Sequence, residues 1–189
     1  RGIVSSGRGS AQTLKNEDAE VIRRIDGVDI VSPENSRRFQ ISASTGNNTN
    51  TTVTGSESAY AYVHNVSLAN GSFISDANVR GIGRQAVLGA TVAADLFADA
   101  DPMGKVIKIN KVNFTVIGVL ASKGGAGFSG PDDMIFVPLS TMQKVLSGSD
   151  YFSTIAVSVK DKNTMNDVRA VISDALVAKH RIAEPDFSI

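Results

Sequence analysis

Cysteine is absent from this chain of 189 residues, which excludes a disulfide framework and any thiolate metal site while fitting either side of a membrane. Charge of one sign is absent too, since 19 Lys and Arg balance 19 Asp and Glu. That neutrality excludes the positive footprint of a general nucleic-acid binder or of a protein held on anionic membrane surfaces. Long apolar runs are missing. The longest, Val116 to Ala121 with Gly118 counted in, falls far short of the roughly 20 residues that cross a bilayer. His64 and His180 are the two imidazoles; neither has a His or Glu at metal-ligand spacing, so no metal centre is expected. The chain opens on Arg1 without a charged-then-apolar leader and stops at Ile189 inside a strand-like pattern. It is therefore expected to be a segment of a longer protein.

What is present suffices for one large or two small packed units, with 42% hydrophobic residues. Near the start, Ile3 to Ser5 reads as a strand. A helix follows from Thr13 or Asn16 to Ile25, with Asn16 as cap and Glu17 and Asp18 in the first turn; Gly27 exits it into a strand, Val28 to Ser32. The end repeats the arrangement: strand Ile155 to Val159, helix Asn163 to Lys179, and strand Asp186 to Ile189. Val168, Val171, Ile172, Ala175 and Leu176 form one apolar stripe on that helix. Two strand-helix-strand halves at opposite ends predict an α+β fold. Its main part is a split sandwich built from residues 1–45 and 135–189, with an inserted mixed subdomain over residues 46–134.

The insertion opens on a polar tract, Ser44 to Thr52, expected as an exposed flexible hairpin or loop because it has no apolar anchor; a binding epitope is the alternative. Asn47, Asn50, Asn65, Asn70 and Asn113 lie in N-x-S/T triplets, which the abundance of Asn, Ser and Thr explains as chance, with Asn113 in a tight hairpin; glycan acceptor sites on an extracytoplasmic chain are the alternative. Gln85 to Leu88 reads as a strand and Thr91 as the cap of a helix carrying Val92, Ala93, Leu96 and Phe97 inward. Asp101-Pro102-Met103-Gly104 has the residue types of a type I turn. After it, Lys105 to Asn110 alternates as a half-exposed strand and Phe114 to Leu120 reads as a central one. Ser140 to Gln143 predicts a capping box.

Gly125-Ala126-Gly127-Phe128-Ser129-Gly130 matches the spacing of a dinucleotide loop, yet Pro131-Asp132-Asp133 leads into the strand-like Met134-Ile135-Phe136-Val137. A phosphate cradle requires a helix there, so no nucleotide or other cofactor is expected. The same loop suits adaptable contact, with Phe128 as its aromatic anchor and plain linker as the alternative. Asp132 and Asp133 read as a solvated turn rather than an acid–base pair. His180 reads as a helix C-terminal cap. With no nucleophile, base and orienting group in sequence reach, the segment is expected to be non-catalytic.

The order Val87-Leu88-Gly89, Leu96-Phe97, Asp101-Pro102-Met103-Gly104-Lys105, Phe114 to Val119 and Ile135 to Leu139 resembles the MacB-type periplasmic core domain of ABC transporter permeases. Asp18-Ala19, Gly27-Val28 and Ser32-Pro33 upstream, and His180-Arg181 and Asp186-Phe187 downstream, fit the same pattern. The resemblance implies an extracytoplasmic domain between two transmembrane helices, with a porter-like α/β part and a second mixed part. It implies a cytoplasmic ATP-binding domain, a second permease protomer and an adaptor as partners, and mechanotransmission as the mode of action. Relatives also release lipoproteins or regulate cell-wall hydrolases; a free-standing binding module is a separate alternative. The isolated chain is expected to be a monomer that does not bind ATP. Partner contacts are expected at Gly124, Gly125, Gly127, Phe128 and Gly130 and at Asn47 and Asn50, on the side away from the chain ends.

Overall fold

The computed structural model describes residues 2–6, 13–124, 130–182 and 185–189. Along the chain these form β1 (Gly2–Ser6), α1 (Asn16–Arg23), β2 (Val28–Ala43), β3 (Asn48–Ser56), α2 (Ala59–Val63), β4 (Leu68–Gly71), α3 (Asp76–Arg80), β5 (Gln85–Leu88) and α4 (Ala90–Phe97). Then come β6 (Val106–Ile109), β7 (Val112–Leu120), β8 (Met134–Pro138), α5 (Leu139–Thr141), β9 (Thr154–Val159), α6 (Met165–His180) and β10 (Phe187–Ser188). The class is mixed α+β. Two compact units share the elements: Arg1–Asn35 with Ser149–Ile189, and Ser36–Gly148.

In the first unit the strands run β10-β1-β9-β2, all antiparallel. β1 pairs with β10 through Ser5 and Ser188 and through Ser6 and Phe187, so the first and last strands lie side by side. Helices α1 and α6 pack on one another, burying Ala19 and Ile22 of one and Val168, Ile172 and Leu176 of the other. The buried stripe of α6 is narrower than its sequence pattern, because Val171 is 49% exposed. Gly27 has φ of +88°, and a Cβ there would stand 2.8 Å from Val168; glycine is needed both for the turn and for the approach of α6.

The second unit closes on itself. β2 neighbours β3, β3 pairs in parallel with β8, β8 with β5, β5 in parallel with β7, β7 with β6, and β6 returns to β2 through Ile41 and Ile109. A ring of this kind leaves few unpaired edges, and β4 lies along β7 beside it. Ile41, Val53, Leu88, Ile107, Ile109, Phe114, Ile135 and Val137 fill the interior together with Val92, Leu96 and Phe97 of α4. Val87 and Phe136 point the other way, into a cluster with Tyr60, Ile74 and Leu120. Burial on both faces explains why β5 and β8 read as unbroken apolar runs.

Several expectations change. The unit boundaries fall at Asn35 and Gly148 rather than at 45 and 134, because Thr52 to Ser56 pair with Met134 to Pro138 and so bind the latter to the insertion. Residues 48–52 of the polar tract form the start of β3, where Thr51 is buried; β2 alongside, joined by β8 from Thr52 on, orders what composition alone leaves loose. The N-cap of α1 is Lys15 and that of α4 is Gly89, not Asn16 or Thr91. Ser140 caps nothing: its hydroxyl and that of Thr141 donate to the carbonyls of Val79 and Gly83, and a π-helix, Met142–Ser147, continues α5. Gly104, at φ +74°, sits third in a turn closed by Lys105 N–H donating to Pro102, one residue later than expected, as a type II turn requires. The β6–β7 hairpin turns on Asn110 and Lys111, both with positive φ.

Candidate functional site

Parallel pairing of β3 and β8 begins at Thr52 and Met134, so the residues just before that pairing on each side share one end of the second unit. There the Thr51 hydroxyl donates to the Asp133 carbonyl at 2.6 Å. Asp132 reaches back across the glycine-rich connection: its Oδ2 accepts from the Ser122 hydroxyl at 2.7 Å and its Oδ1 from the Lys123 amide at 3.1 Å. The Ser122 hydrogen bond above all, with the Lys123 and Gly124 amides and against slight desolvation, holds the Asp132 carboxyl below the usual carboxylate range. Lys123 Nζ donates to the His64 carbonyl at 2.5 Å, linking the end of α2. The entry and exit of the loop are thereby clamped. Asp132 and Asp133 serve different neighbours, so they do not form an acid–base pair.

Gly124 and Gly130, with open space around a Cβ position, stand at the two ends of this loop. Gly125, Gly127 and Phe128 lie outside the described residues. Asn47 and Asn50 sit on the neighbouring hairpin. The Asn47 side chain donates to the Leu96 carbonyl at 3.2 Å, as does the Thr45 hydroxyl at 2.6 Å, so Asn47 closes the C-terminal end of α4. The Asn50 carbonyl accepts from Arg38 at 2.9 Å. The sequence reading missed Tyr62, which is 74% exposed on α2 while its neighbour Tyr60 is buried and stacks on His64 and Phe73. Tyr60 and Tyr62 two residues apart were the available signal, since on a short helix they face opposite ways.

A second polar cluster lies in the first unit. Asp18, 1% exposed, accepts from the Lys15 amide at 2.8 Å and from Lys179 Nζ. His180 Nε2 stands 3.2 Å from Asp18 Oδ1, and His180 Nδ1 stands 2.9 Å from Asp186 Oδ1. The imidazole thus bridges two carboxylates instead of capping helix carbonyls; Arg181, at φ +55°, ends the helix. Burial raises the Asp18 carboxyl, but hydrogen bonds from Lys179, Lys15 and His180 prevail and lower it. Burial pulls the His180 imidazole down, while Asp186 and Asp18 prevail and raise it. Among the described residues no group of three His, Cys, Asp or Glu side chains is placed to hold a metal ion.

The profile of the MacB-like periplasmic core domain matches residues 1–175. The macrolide export ATP-binding/permease protein MacB of Bdellovibrio bacteriovorus is 37% identical over 170 residues, covering 90% of this chain and 25% of that protein. Its namesake in Rhodospirillum rubrum is 33% identical over 183 residues, or 96% and 28% of the two chains. Among solved structures, the periplasmic region of MacB from Actinobacillus actinomycetemcomitans has a TM-score of 0.85 at 22% identity, covering 98% of this chain and 86% of that one. The extracellular domain of the noncanonic ABC-type transporter YknZ from Gram-positive bacteria scores 0.83 at 17% identity, covering 98% and 97%. At these identities the structural likeness shows the fold. The chain spans about a quarter of the length of the curated relatives it matches.

Proposed function

The chain belongs to the family of MacB-like periplasmic core domains, and from that premise we propose that it is the extracytoplasmic domain of an ABC transporter permease. In this reading it couples ATP hydrolysis in a cytoplasmic domain to export by moving with adjoining membrane helices and engaging an adaptor. The observation that carries it is one family profile running through both units. Adjacent first and last strands support it, because a lever between two neighbouring membrane helices must bring its ends together. The first unit corresponds to the porter-like part. No chemistry is assigned to the segment itself: it is a lever and docking surface, not a catalyst.

The adaptor contact is assigned to the end of the second unit that carries Gly124, Gly125, Gly127, Phe128 and Gly130, with Asn47 and Asn50 beside them and Tyr62 as an added aromatic. The clamp by Asp132, Ser122 and Lys123 supports this, since a loop fixed at its root can present an anchor without a large ordering cost. The test is Phe128→Ala in the full transporter, measuring co-purification with the adaptor and export, with the melting temperature of the 189-residue chain as control. Weaker association, on the order of tenfold or more for an aromatic anchor, with unchanged melting is expected. Unchanged association with a melting temperature several degrees lower would make Phe128 a packing residue and sink the assignment.

A further inference from the structure

A carboxylate only accepts hydrogen bonds, and a neutral imidazole has one N–H to give. His180 nevertheless faces a carboxylate oxygen at each ring nitrogen, Asp186 at 2.9 Å and Asp18 at 3.2 Å. Both contacts are favourable only for the imidazolium. Once the ring loses a proton, one of the two becomes a lone pair against a lone pair. The two carboxylates are not equally free to respond. Asp18 is buried and keeps the Lys15 amide and Lys179, whereas among the described residues His180 is the hydrogen-bond partner of the Asp186 carboxylate.

Asp186 directly precedes β10, a strand of two residues. Its Phe187 is buried and stands edge-on to the His180 ring, centroids 6.1 Å apart at 89°. Among the described residues the strand is further attached by backbone pairing with β1, by the Arg169 guanidinium donating to the Ile189 carbonyl, and by lying beside Asn166, Ala170 and Ser173 of α6. The groups facing the ring are therefore Asp18 from α1, Lys179 beside it on α6 through Asp18, Asp186, and the Phe187 edge.

We propose that His180 is a proton-operated latch: as imidazolium it ties the Asp186–Ile189 segment to α6 and α1, and on deprotonation it releases β10 from the edge of the sheet. The inference rests on the first unit alone and stands whether or not the adaptor assignment does. For a domain facing the outside, the surroundings' acidity would set the docked fraction of its last strand.

The test is NMR of the 189-residue chain. His180 ring nitrogens are titrated from about pH 5 to pH 9, and the ring signals of Phe187 and the amide protection of β10 are followed alongside, with Ile155 and Ile172 as controls. We expect the imidazole to titrate above its ordinary value of 6.5. Phe187 should shift with the same midpoint, and β10 protection should fall about tenfold for each pH unit of the displacement, while the controls stay constant. Asp186→Asn should bring the midpoint down and make β10 insensitive to pH. A Phe187 response flat across the His180 midpoint, or a His180 midpoint at or below the ordinary value, overturns the latch without use of any variant. So does equal loosening of β10 and of the controls.

Discussion

At the scale of single residues, Asp18 carries the largest consequence. Its buried carboxylate serves the first turn of α1 through the Lys15 amide and the last turn of α6 through Lys179 and His180. Asp18→Asn keeps the shape but turns an amide N–H toward one of these donors. The expected loss is about 2 kcal/mol, since removing one member of a buried charge network leaves the others desolvated. Urea unfolding of the whole chain measures it; a loss within experimental error would mean that burial and attraction cancel. The pH profile has two limbs. His180 is raised in the folded state, so its contribution is complete below the ordinary value of 6.5 and disappears as pH rises through the raised one. Asp18 is lowered, so its contribution is complete above 3.8 and disappears as pH falls through the lowered value. Melting of the first unit should therefore be highest between these limits, and His180→Gln should abolish the alkaline limb while only reducing the acid limb, since His180 is one of the three groups whose hydrogen bonds lower Asp18. An alkaline limb that persists in His180→Gln belongs to another group.

Among the elements, the β6–β7 hairpin and the turn after β5 make opposite tests. Asn110 and Lys111 occupy left-handed φ values of +48° and +68°, where a Lys side chain is strained and Gly is not. Lys111→Gly should stabilise the second unit by about 1 kcal/mol, and a destabilised variant would show that the Lys111 side chain has a packing role. At Gly89, a Cβ would stand 2.3 Å from the carbonyl oxygens of both Pro131 and Asp132. Gly89→Ala should cost roughly 2 kcal/mol and displace the root of the glycine-rich loop, visible as shifted amide signals at Ser122 to Gly124; unchanged signals there would refute the coupling. Elements with strong local signals were legible in the sequence: the apolar stripe of α6, the strand Gln85 to Leu88, and the alternation before Asn110. What was not legible depended on distant partners. Nothing local in Asn48 to Thr52 announces a strand; β2 beside it, and β8, some eighty residues on and paired from Thr52, make it one. Ser140 has the chemistry of a cap, yet the Val79 carbonyl claims its hydroxyl. The candidate contact loop was found from glycine content alone, whereas its clamp by Asp132 required the return of the chain to be known.

For the whole molecule, the division into a continuous unit and a discontinuous one makes a direct prediction. Residues 36–148 contain the complete ring of strands and their own core, so this piece expressed alone should fold cooperatively with a dispersed NMR spectrum; a collapsed, poorly dispersed product would show that the ring needs the first unit to close. Family and architecture follow from a pattern spread over both units rather than from any one residue.

The discontinuity also sets an order of events in time. Glu34 pairs with Thr154 and Gly2 with Val157, so the earliest strands of this segment wait for partners more than a hundred residues downstream. At ordinary ribosomal speed that interval is on the order of ten seconds. Meanwhile the continuous unit has all the sequence it needs, and the amphipathic face of α1, with Ala19 and Ile22, has nothing of its own to cover it. The nascent chain therefore passes through a stage with a finished middle and an uncovered beginning, and this is when a chaperone holding that early segment would matter most.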